Sequence, residues 1–228
     1  SQNTVSDYFP VEKEYGYSVF SSVVSYEWKN KMMNFIDCPG SDDFVGAVIS
    51  ALNMTDMALM LIDAVNGVEV GTMNQFRYVE NLNKPLVFLI NQFDHEKADY
   101  DNTIANLKET YGSKVIPIQY AIGSGQSFEA IVDVLKQKMY KWKPGAAAPD
   151  VMDIPASEKD KADELYQVLL EAAAENDENL MEKYFEQGSL TEEEMREGIM
   201  KGMIARSMFP VFCSSAEKNM AVHRIMYF

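Results

Sequence analysis

The most informative part of the sequence is Leu86–Asp94, which reads LVFLINQFD. It joins an apolar run of strand length directly to a polar Asn-x-x-Asp motif. The apolar run Met33–Ile36 leads in the same way into Asp37–Gly40, which reads DCPG. The two motifs begin 54 positions apart (91 − 37), which is room for two strand–helix–strand crossovers of about 30 residues each. The sequence therefore predicts parallel strands whose carboxyl ends carry both motifs.

The residue types in these motifs suit a guanine nucleotide and a magnesium ion. Asp37 can hold Mg²⁺ through water, because Mg²⁺ keeps several waters and takes few protein ligands. Gly40 allows the backbone to approach a γ-phosphate and offers its N–H. Asp94 can accept hydrogen bonds from guanine N1–H and the 2-amino group, and Asn91 is placed to brace neighbouring loops. Either motif alone is usually a turn, but together and in this order they favour a guanine-nucleotide-binding domain.

A third motif lies near the carboxyl end of the chain. The apolar run Met208–Cys213 predicts a strand, and Ser214–Lys218, which reads SSAEK, follows it. On its own the motif predicts a helix N-cap, with Ser215 capping the last helix. Beside the other two motifs it is similar to the Ser-Ala-x-Lys loop of GTPases, in which the N–H of the alanine, here Ala216, contacts the guanine O6.

With these motifs in order, the chain resembles elongation factor G, the ribosomal translocase, over essentially its whole length. Further collinear segments that carry the likeness are Glu14–Val19, Asp63–Val68, Pro117–Gln119, Asp153–Ala156, Leu180–Tyr184 and Leu190–Glu194. The resemblance implies an α/β fold, a P-loop GTPase-type doubly wound sheet with an inserted α+β subdomain. It implies the first part of the GTPase domain at 1–112, an acidic, helix-rich inserted subdomain at 113–204, and the last strand and start of the last helix at 205–228.

The sequence departs from the family pattern in four places. It contains no Gly-x-x-x-x-Gly-Lys-Ser/Thr loop, so the implied fold lacks its first strand and the loop that cradles the phosphates. Ser41 stands where the family has the histidine that orients the attacking water, and this catalytic position is expected to be impaired. Gln92 replaces the lysine that packs over guanine, and Ser18 replaces the threonine that ligates Mg²⁺. We therefore expect GTP or GDP and Mg²⁺ as ligands of the intact protein, with slow hydrolysis.

The missing strand would lie between the strands that end at Asp37 and Asp63. Unpaired backbone groups along both strand edges would cost about 1–3 kcal/mol each, so a sheet with an open slot is not expected. We expect upstream residues to supply the strand and the phosphate loop. The alternatives are that the two edges close on each other or that another chain fills the gap. The 228 residues alone are expected to be inactive.

Charge is unevenly distributed along the chain. The net charge is −15, which argues against direct binding of nucleic acid. Residues 153–197 hold 15 Asp/Glu and 4 Lys/Arg (4 − 15 = −11). The resemblance implies the ribosome as partner, and the ribosomal stalk protein as partner of this acidic subdomain, although a merely solvated helix face remains the alternative. No apolar run reaches 18 residues, so no membrane span is expected, and the resemblance implies a cytoplasmic protein.

Periodicity predicts the main local elements. Residues 17–37 alternate as a β-hairpin, and Val115–Ala121 reads as a strand. A flexible excursion is expected at Lys143–Asp150. Capping boxes at Ser157 and Thr191 predict the starts of two acidic helices, whose outward faces include Glu171, Glu175, Glu178 and Glu182. Further helices are predicted over Asp42–Asn53, Gly71–Leu82, Asp99–Tyr111 and Phe128–Tyr140.

Three functional hypotheses follow from the resemblance and its departures. The first is a GTP-binding fragment of a translation factor that acts on the ribosome, in translocation or a related step, through a GTP/GDP switch. The second is a nucleotide-dependent ribosome-binding switch with little or no hydrolysis, which Ser41 motivates. The third is a ribosome-protection or release-factor-like GTPase.

Overall fold

The computed structural model describes residues 4–143, 146 and 148–228. The chain divides into two compact units, one formed by residues 1–58 and 70–84 and the other by residues 59–69 and 85–228. Within the expected excursion Lys143–Asp150, residues 144, 145 and 147 lie outside the described residues. The helices that are described include none with the length and apolar character needed to cross a membrane.

The described part of the first unit holds a β-hairpin and three helices. Ser22–Trp28 (β1) pairs antiparallel with Lys31–Asp37 (β2). The chain reverses at Lys29 and Asn30, whose φ values of 47° and 61° suit the primed turns that match the twist of two strands. The predicted hairpin is therefore confirmed. The helices predicted over Asp42–Asn53 and Gly71–Leu82 are also confirmed, with ends that differ by one to three residues. The helices of this unit are Pro10–Tyr15 (α1), Val45–Met54 (α2) and Val70–Asn81 (α3).

Two four-stranded sheets form the framework of the second unit. The strands are Ala58–Asp63 (β3), Leu86–Asn91 (β4), Val115–Pro117 (β5), Gln119–Ile122 (β6), Ala130–Asp133 (β7), Lys138–Lys141 (β8), Asp150–Met152 (β9) and Phe209–Cys213 (β10). One sheet has the order β3-β4-β10-β5, in which β10 runs parallel to β4 and to β5. The other has the order β6-β7-β8-β9 and is antiparallel. The parallel sheet confirms the predicted fold class.

The parallel sheet is apolar throughout its centre. Every residue of Leu86–Ile90 and of β10 is buried, which is the pattern of strands covered on both faces. Strand β3 stands at one end of the strand order, and β2 belongs to the separate two-stranded sheet.

Two predictions of single elements between residues 115 and 140 are wrong. Phe128–Tyr140 is the antiparallel pair β7–β8 and not a helix. Its apolar residues satisfied a helical period, but Ala130–Asp133 pairs with a strand along each edge and is buried throughout. A short apolar run does not distinguish helix from strand. The turn is closed by Asp133 Oδ1, which accepts from Lys136 N at 2.9 Å. Val115–Ala121 is likewise two short strands, β5 and β6, which join different sheets.

The helices of the second unit are Tyr100–Tyr111 (α4), Ala156–Ala174 (α5), Glu178–Gln187 (α6), Glu192–Ala205 (α7) and Val222–Ile225 (α8). The Thr191 capping box is confirmed, because Thr191 N donates to Glu194 Oε2 at 2.8 Å and Glu194 N donates to Thr191 Oγ1 at 3.3 Å. The Ser157 box is wrong, since Ser157 lies inside α5 and the residue before the helix, Pro155, makes no side-chain cap. The next helix, α6, does have a side-chain cap, because Asp177 accepts from the backbone N–H groups of Asn179 and Leu180.

Candidate functional site

The loops that follow β4 and β10 meet at the carboxyl end of the parallel sheet. Cys213 of β10 is in register with Ile90 of β4. The residues that follow them, Ser214 and Asn91, therefore lie close to each other. Asn91 Oδ1 accepts from Ser214 Oγ at 3.0 Å and from Ala216 N at 2.9 Å. The side-chain oxygen of Asn91 therefore holds the loop after β10 against the loop after β4. This contact is of the kind expected of Asn91 from the sequence.

A hydrogen bond from Ser215 to Asp94 also joins the same two loops. Ser215 Oγ donates to Asp94 Oδ1 at 2.6 Å, and it also accepts from Lys218 N at 3.1 Å. Ser215 itself is buried, Asp94 is half-buried and Ala216 is exposed. The Asn91–Asp94 loop and the Ser215–Ala216 loop therefore meet at this end of the sheet. The arrangement leaves the carboxylate and the Ala216 side of the loop at the surface, where a planar base could approach both.

The capping role predicted for Ser215 is different in the structure. The segment after it forms turns closed by the backbone bridge between Ser215 and Met220, and α8 begins only at Val222, after Ala221 in the left-handed conformation. The bonds to Asp94 and to Lys218 N hold the serine in a loop-to-loop bridge. Local sequence could not reveal this, because an N-cap and such a bridge use the same hydroxyl group.

Gln92 occupies the tip of the first loop. Its φ is +71°, a left-handed conformation that costs a residue with a side chain about 1–2 kcal/mol. Its carbonyl oxygen accepts from His95 N at 3.0 Å, which closes the turn. The side chain is exposed, so it can pack over a base bound between the two loops.

The loop after β3 also contacts the Asn91–Asp94 loop, through a backbone hydrogen bond of Ala64. Ala64 N donates to Asn91 O at 3.0 Å, and Asp99 N donates to Ala64 O at 2.9 Å. Gly67 has a φ of +66°, and a side chain there would start 2.7 Å from Asn106 Oδ1. That oxygen accepts from Val68 N at 2.6 Å, so the glycine permits a close approach to α4.

The other predicted site residues lie in the first unit. Asp37 ends β2 and is exposed, as is Gly40. Ser41 caps a short 3-10 turn, and its Oγ accepts from Asp43 N at 3.4 Å. Ser18 Oγ donates to Asp7 Oδ1 at 2.8 Å, which leaves the oxygen lone pairs of the serine available for another ligand.

These first-unit groups are compatible with magnesium. An exposed carboxylate and a hydroxyl are hard oxygen donors of the kind that Mg²⁺ accepts alongside water and phosphate. Over the ranges that the structure describes, no cluster of three or more His, Cys, Asp or Glu side chains could enclose a metal ion. A hydrated Mg²⁺ needs few protein ligands, and Asp37 and Ser18 are the residues that would hold it.

Sequence inspection missed Glu12, which shapes the segment next to Ser18. Its buried carboxylate accepts from Val19 N and Phe20 N at 3.1 Å each and from Phe9 N at 3.2 Å. Burial by itself raises the pKa of Glu12, but the three backbone N–H donors outweigh burial and hold its pKa below the ordinary value. The charged form therefore organises the turn from α1 into this segment.

Comparisons with known proteins identify the family of this chain. Residues 1–228 match the family described as Elongation factor Tu GTP binding domain. The chain therefore belongs to the elongation factor Tu family of GTP-binding domains, a family of translational GTPases. Within that family it is similar to an elongation factor G-like protein of Thermotoga maritima, with 33% identity over 220 residues. This confirms the resemblance that the motifs carried.

A solved structure gives the same result for the fold. A crystal structure of a Thermus thermophilus protein superposes with a TM-score of 0.92 at 27% identity and covers 99% of this chain. The chain spans about a third of these relatives, since it covers 31% of the Thermotoga maritima protein and 34% of the Thermus thermophilus chain.

Proposed function

We propose that this chain is the GTP- and GDP-binding part of an elongation factor G-like translation factor that acts on the ribosome through a nucleotide switch. The observation that carries the proposal is the pair of bonds that unites the Asn91–Asp94 loop with the Ser215–Ala216 loop. These are the two loops whose residue types suit a guanine base. Their union at the end of β4 and β10 creates one recognition edge from two distant parts of the sequence.

Each residue at that edge has a distinct proposed role. Asp94 accepts from guanine N1–H and the 2-amino group, and Gln92 packs over the ring. Ala216 N–H, which donates to Asn91 Oδ1 in this structure, turns from that oxygen to O6 when guanine binds. Asn91 and Ser215 hold the loops. For the first unit, the proposed roles are that Gly40 offers its N–H to the γ-phosphate and that Asp37, through water, and Ser18 bind Mg²⁺. When bound, Mg²⁺ neutralises charge on the phosphates.

The base specificity of Asp94 gives a direct test. In the intact natural polypeptide that contains this chain, Asp94→Asn should weaken GDP binding about 10- to 100-fold, since a lost hydrogen bond to a charged group is worth about 1.5–3 kcal/mol. The same change should improve binding of xanthosine diphosphate, whose 2-oxo group accepts from the new amide. The control is Asp99→Asn, because Asp99 Oδ1 caps α4 through Asn102 N at 3.0 Å. Unchanged nucleotide preference in Asp94→Asn contradicts the proposed site.

Hydrolysis is proposed to be slow. Ser41 lacks an imidazole, and its Oγ is engaged in capping the turn at Asp43. That observation supports a second candidate function, a nucleotide-dependent ribosome-binding switch with little or no GTP hydrolysis. Single-turnover GTP hydrolysis with ribosomes separates the two candidates.

The partner proposed for the acidic region is the ribosomal stalk protein. Residues 113–204 form the proposed inserted subdomain between the two parts of the GTPase domain. The side chains of Glu171, Glu175, Glu178 and Glu182 are all exposed, as expected for a docking face, and a basic partner would complement them. A factor that works on ribosomes in this way acts in the cytoplasm.

A further inference from the structure

The turn between β6 and β7 contacts both of the loops that the proposed function assigns to guanine. We call residues 123–127 the clasp turn. Gly125 N donates to Phe93 O at 2.8 Å, and Phe93 belongs to the Asn91–Asp94 loop. Gly125 O accepts from Lys218 Nζ at 2.8 Å, and Lys218 follows the Ser215–Ala216 loop. One glycine therefore bonds to both loops, one through its N–H and one through its C=O.

The backbone of the clasp turn is built for this position. Gly125 has a φ of +60°, and a side chain there would start 2.9 Å from Glu96 Cα, so only glycine fits both the conformation and the approach. Ser124 N donates to Ser127 Oγ at 3.2 Å, and Ser127 Oγ donates to Ser124 O at 2.7 Å. The turn is thus held in one shape by its own side chains.

Apolar packing anchors the same contact. Phe93 and Phe128 are both buried, and their ring centroids lie 5.4 Å apart. Phe128 follows the clasp turn directly, so the turn and the Asn91–Asp94 loop share a core as well as a hydrogen bond. Lys218 N also donates to Ser215 Oγ at 3.1 Å, which places the lysine beside the hydroxyl that bonds to Asp94.

We propose that the clasp turn and Lys218 position the guanine-recognition loops, and that guanine selectivity therefore depends on the β6–β7 segment. Lys218 is a positioning residue in this proposal: its side chain acts through Gly125, its backbone N–H bonds to Ser215, and it does not touch the base. The proposal rests on the proposed function, because it assumes that Asp94 reads guanine. It extends that function by assigning nucleotide selectivity to a turn that no nucleotide-binding motif in the sequence includes.

The test compares GDP with inosine diphosphate, which lacks the 2-amino group and so loses one of two bonds to Asp94. Affinities are measured by calorimetry in the intact natural polypeptide that contains this chain. Lys218→Met should weaken GDP binding roughly 3- to 10-fold, the range for one lost hydrogen bond. It should weaken inosine diphosphate binding less, so the selectivity for GDP falls. Lys218→Arg keeps a cationic donor and should retain the wild-type selectivity.

The matched control is Lys84→Met. Lys84 Nζ donates to Thr55 O at 2.7 Å within the first unit, so the variant removes the same charge and the same type of bond. It should leave the GDP selectivity unchanged, and thermal unfolding of all variants shows whether any loss is global. Lys218→Met with wild-type GDP affinity overturns the positioning role, as does an equal loss of both nucleotides. Absence of guanine nucleotide binding in the unmodified protein overturns the proposed function and this inference with it.

Discussion

The position of Ser41 shows how one side chain bears on the proposed reaction. Its hydroxyl caps a 3-10 turn and is too short to take the place of an imidazole beside an attacking water. In the intact natural polypeptide, Ser41→His should raise ribosome-stimulated GTP hydrolysis roughly 10- to 100-fold, because catalysis here depends on positioning the nucleophile. Nucleotide affinity should change little, since the new side chain acts on water.

The control for that experiment is Ser41→Ala, which removes the cap without adding an imidazole and should not increase turnover. Single-turnover rates with ribosomes are the measurement. Equal rates for the Ser41 and Ser41→His proteins would mean that another group orients the water.

Glu12 gives a prediction about pH at the same scale. Because its folded pKa is lowered, the charged carboxylate contributes stability that is present above the ordinary pKa and is lost as the pH falls through the folded pKa. Glu12→Gln cannot ionise, so its stability deficit relative to the unmodified protein should be largest near neutral pH and shrink below about pH 4.5. Urea midpoints across that range test this, and amide exchange at Val19 and Phe20 should be faster in the variant. Parallel pH profiles for the two proteins would contradict the role given to Glu12.

At the scale of elements, α5 and α7 pack at a glycine contact. Gly198 is buried, and a side chain there would start 2.3 Å from Ala173 O. Gly198→Ala should therefore destabilise the fold by about 1–3 kcal/mol through overpacking. Gly46→Ala is the matched control, because Gly46 lies in α2 with nothing within 4 Å of the added carbon. That variant should gain about 0.5–1 kcal/mol from helix propensity. Urea unfolding measures the stability of both variants. A Gly198→Ala midpoint equal to that of the unmodified protein would show that α7 shifts to accept the side chain without loss of stability.

The acidic helices carry a prediction about association. Glu175→Lys, Glu178→Lys and Glu182→Lys, combined in the intact natural polypeptide, should slow recruitment to ribosomes, most strongly at low salt, because charge complementarity acts mainly on association rate. The control reverses Glu27 and Glu109, which are exposed residues outside the acidic region. Stopped-flow association over a range of salt concentrations is the measurement. Association kinetics that match the control at every salt concentration would leave these helices as solvated faces.

At the scale of the whole molecule, the prediction concerns how tightly the 228 residues bind the phosphates of GTP. A polypeptide limited to these 228 residues contains no sequence for a phosphate cradle, and in GTPases that loop and its lysine hold the β- and γ-phosphates. Such a polypeptide should bind GTP weakly or not at all, although its guanine loops are assembled. Calorimetry with and without Mg²⁺ tests this. Tight, Mg²⁺-dependent GTP binding by a polypeptide of verified mass would refute it.

Much of the framework could be predicted from local sequence. Leu86–Asp94 specified a buried strand and the polar loop after it, since a run of five apolar residues bounded by turn residues is typical of a strand covered on both faces. The hairpin within residues 17–37 and the capping box at Thr191 were also predicted, because hairpin and cap geometry depend on residues a few positions apart. The residues at the proposed base-binding edge follow from the same local motifs.

Tertiary structure alone decided the features that depend on distant neighbours. Ala130–Asp133 is a strand because β6 and β8 pair with it, and a run of four buried residues has no periodicity that requires this. Ser215 bonds to Asp94, 121 residues away, so its hydroxyl serves a bridge between loops. The contact of Gly125 with Phe93 and Lys218 arises in the same way. Local sequence determined which segments are strands, helices and loops wherever a period or cap is self-contained, and the folded chain decided which loops meet, because such contacts form only when the sheet brings its strand ends together.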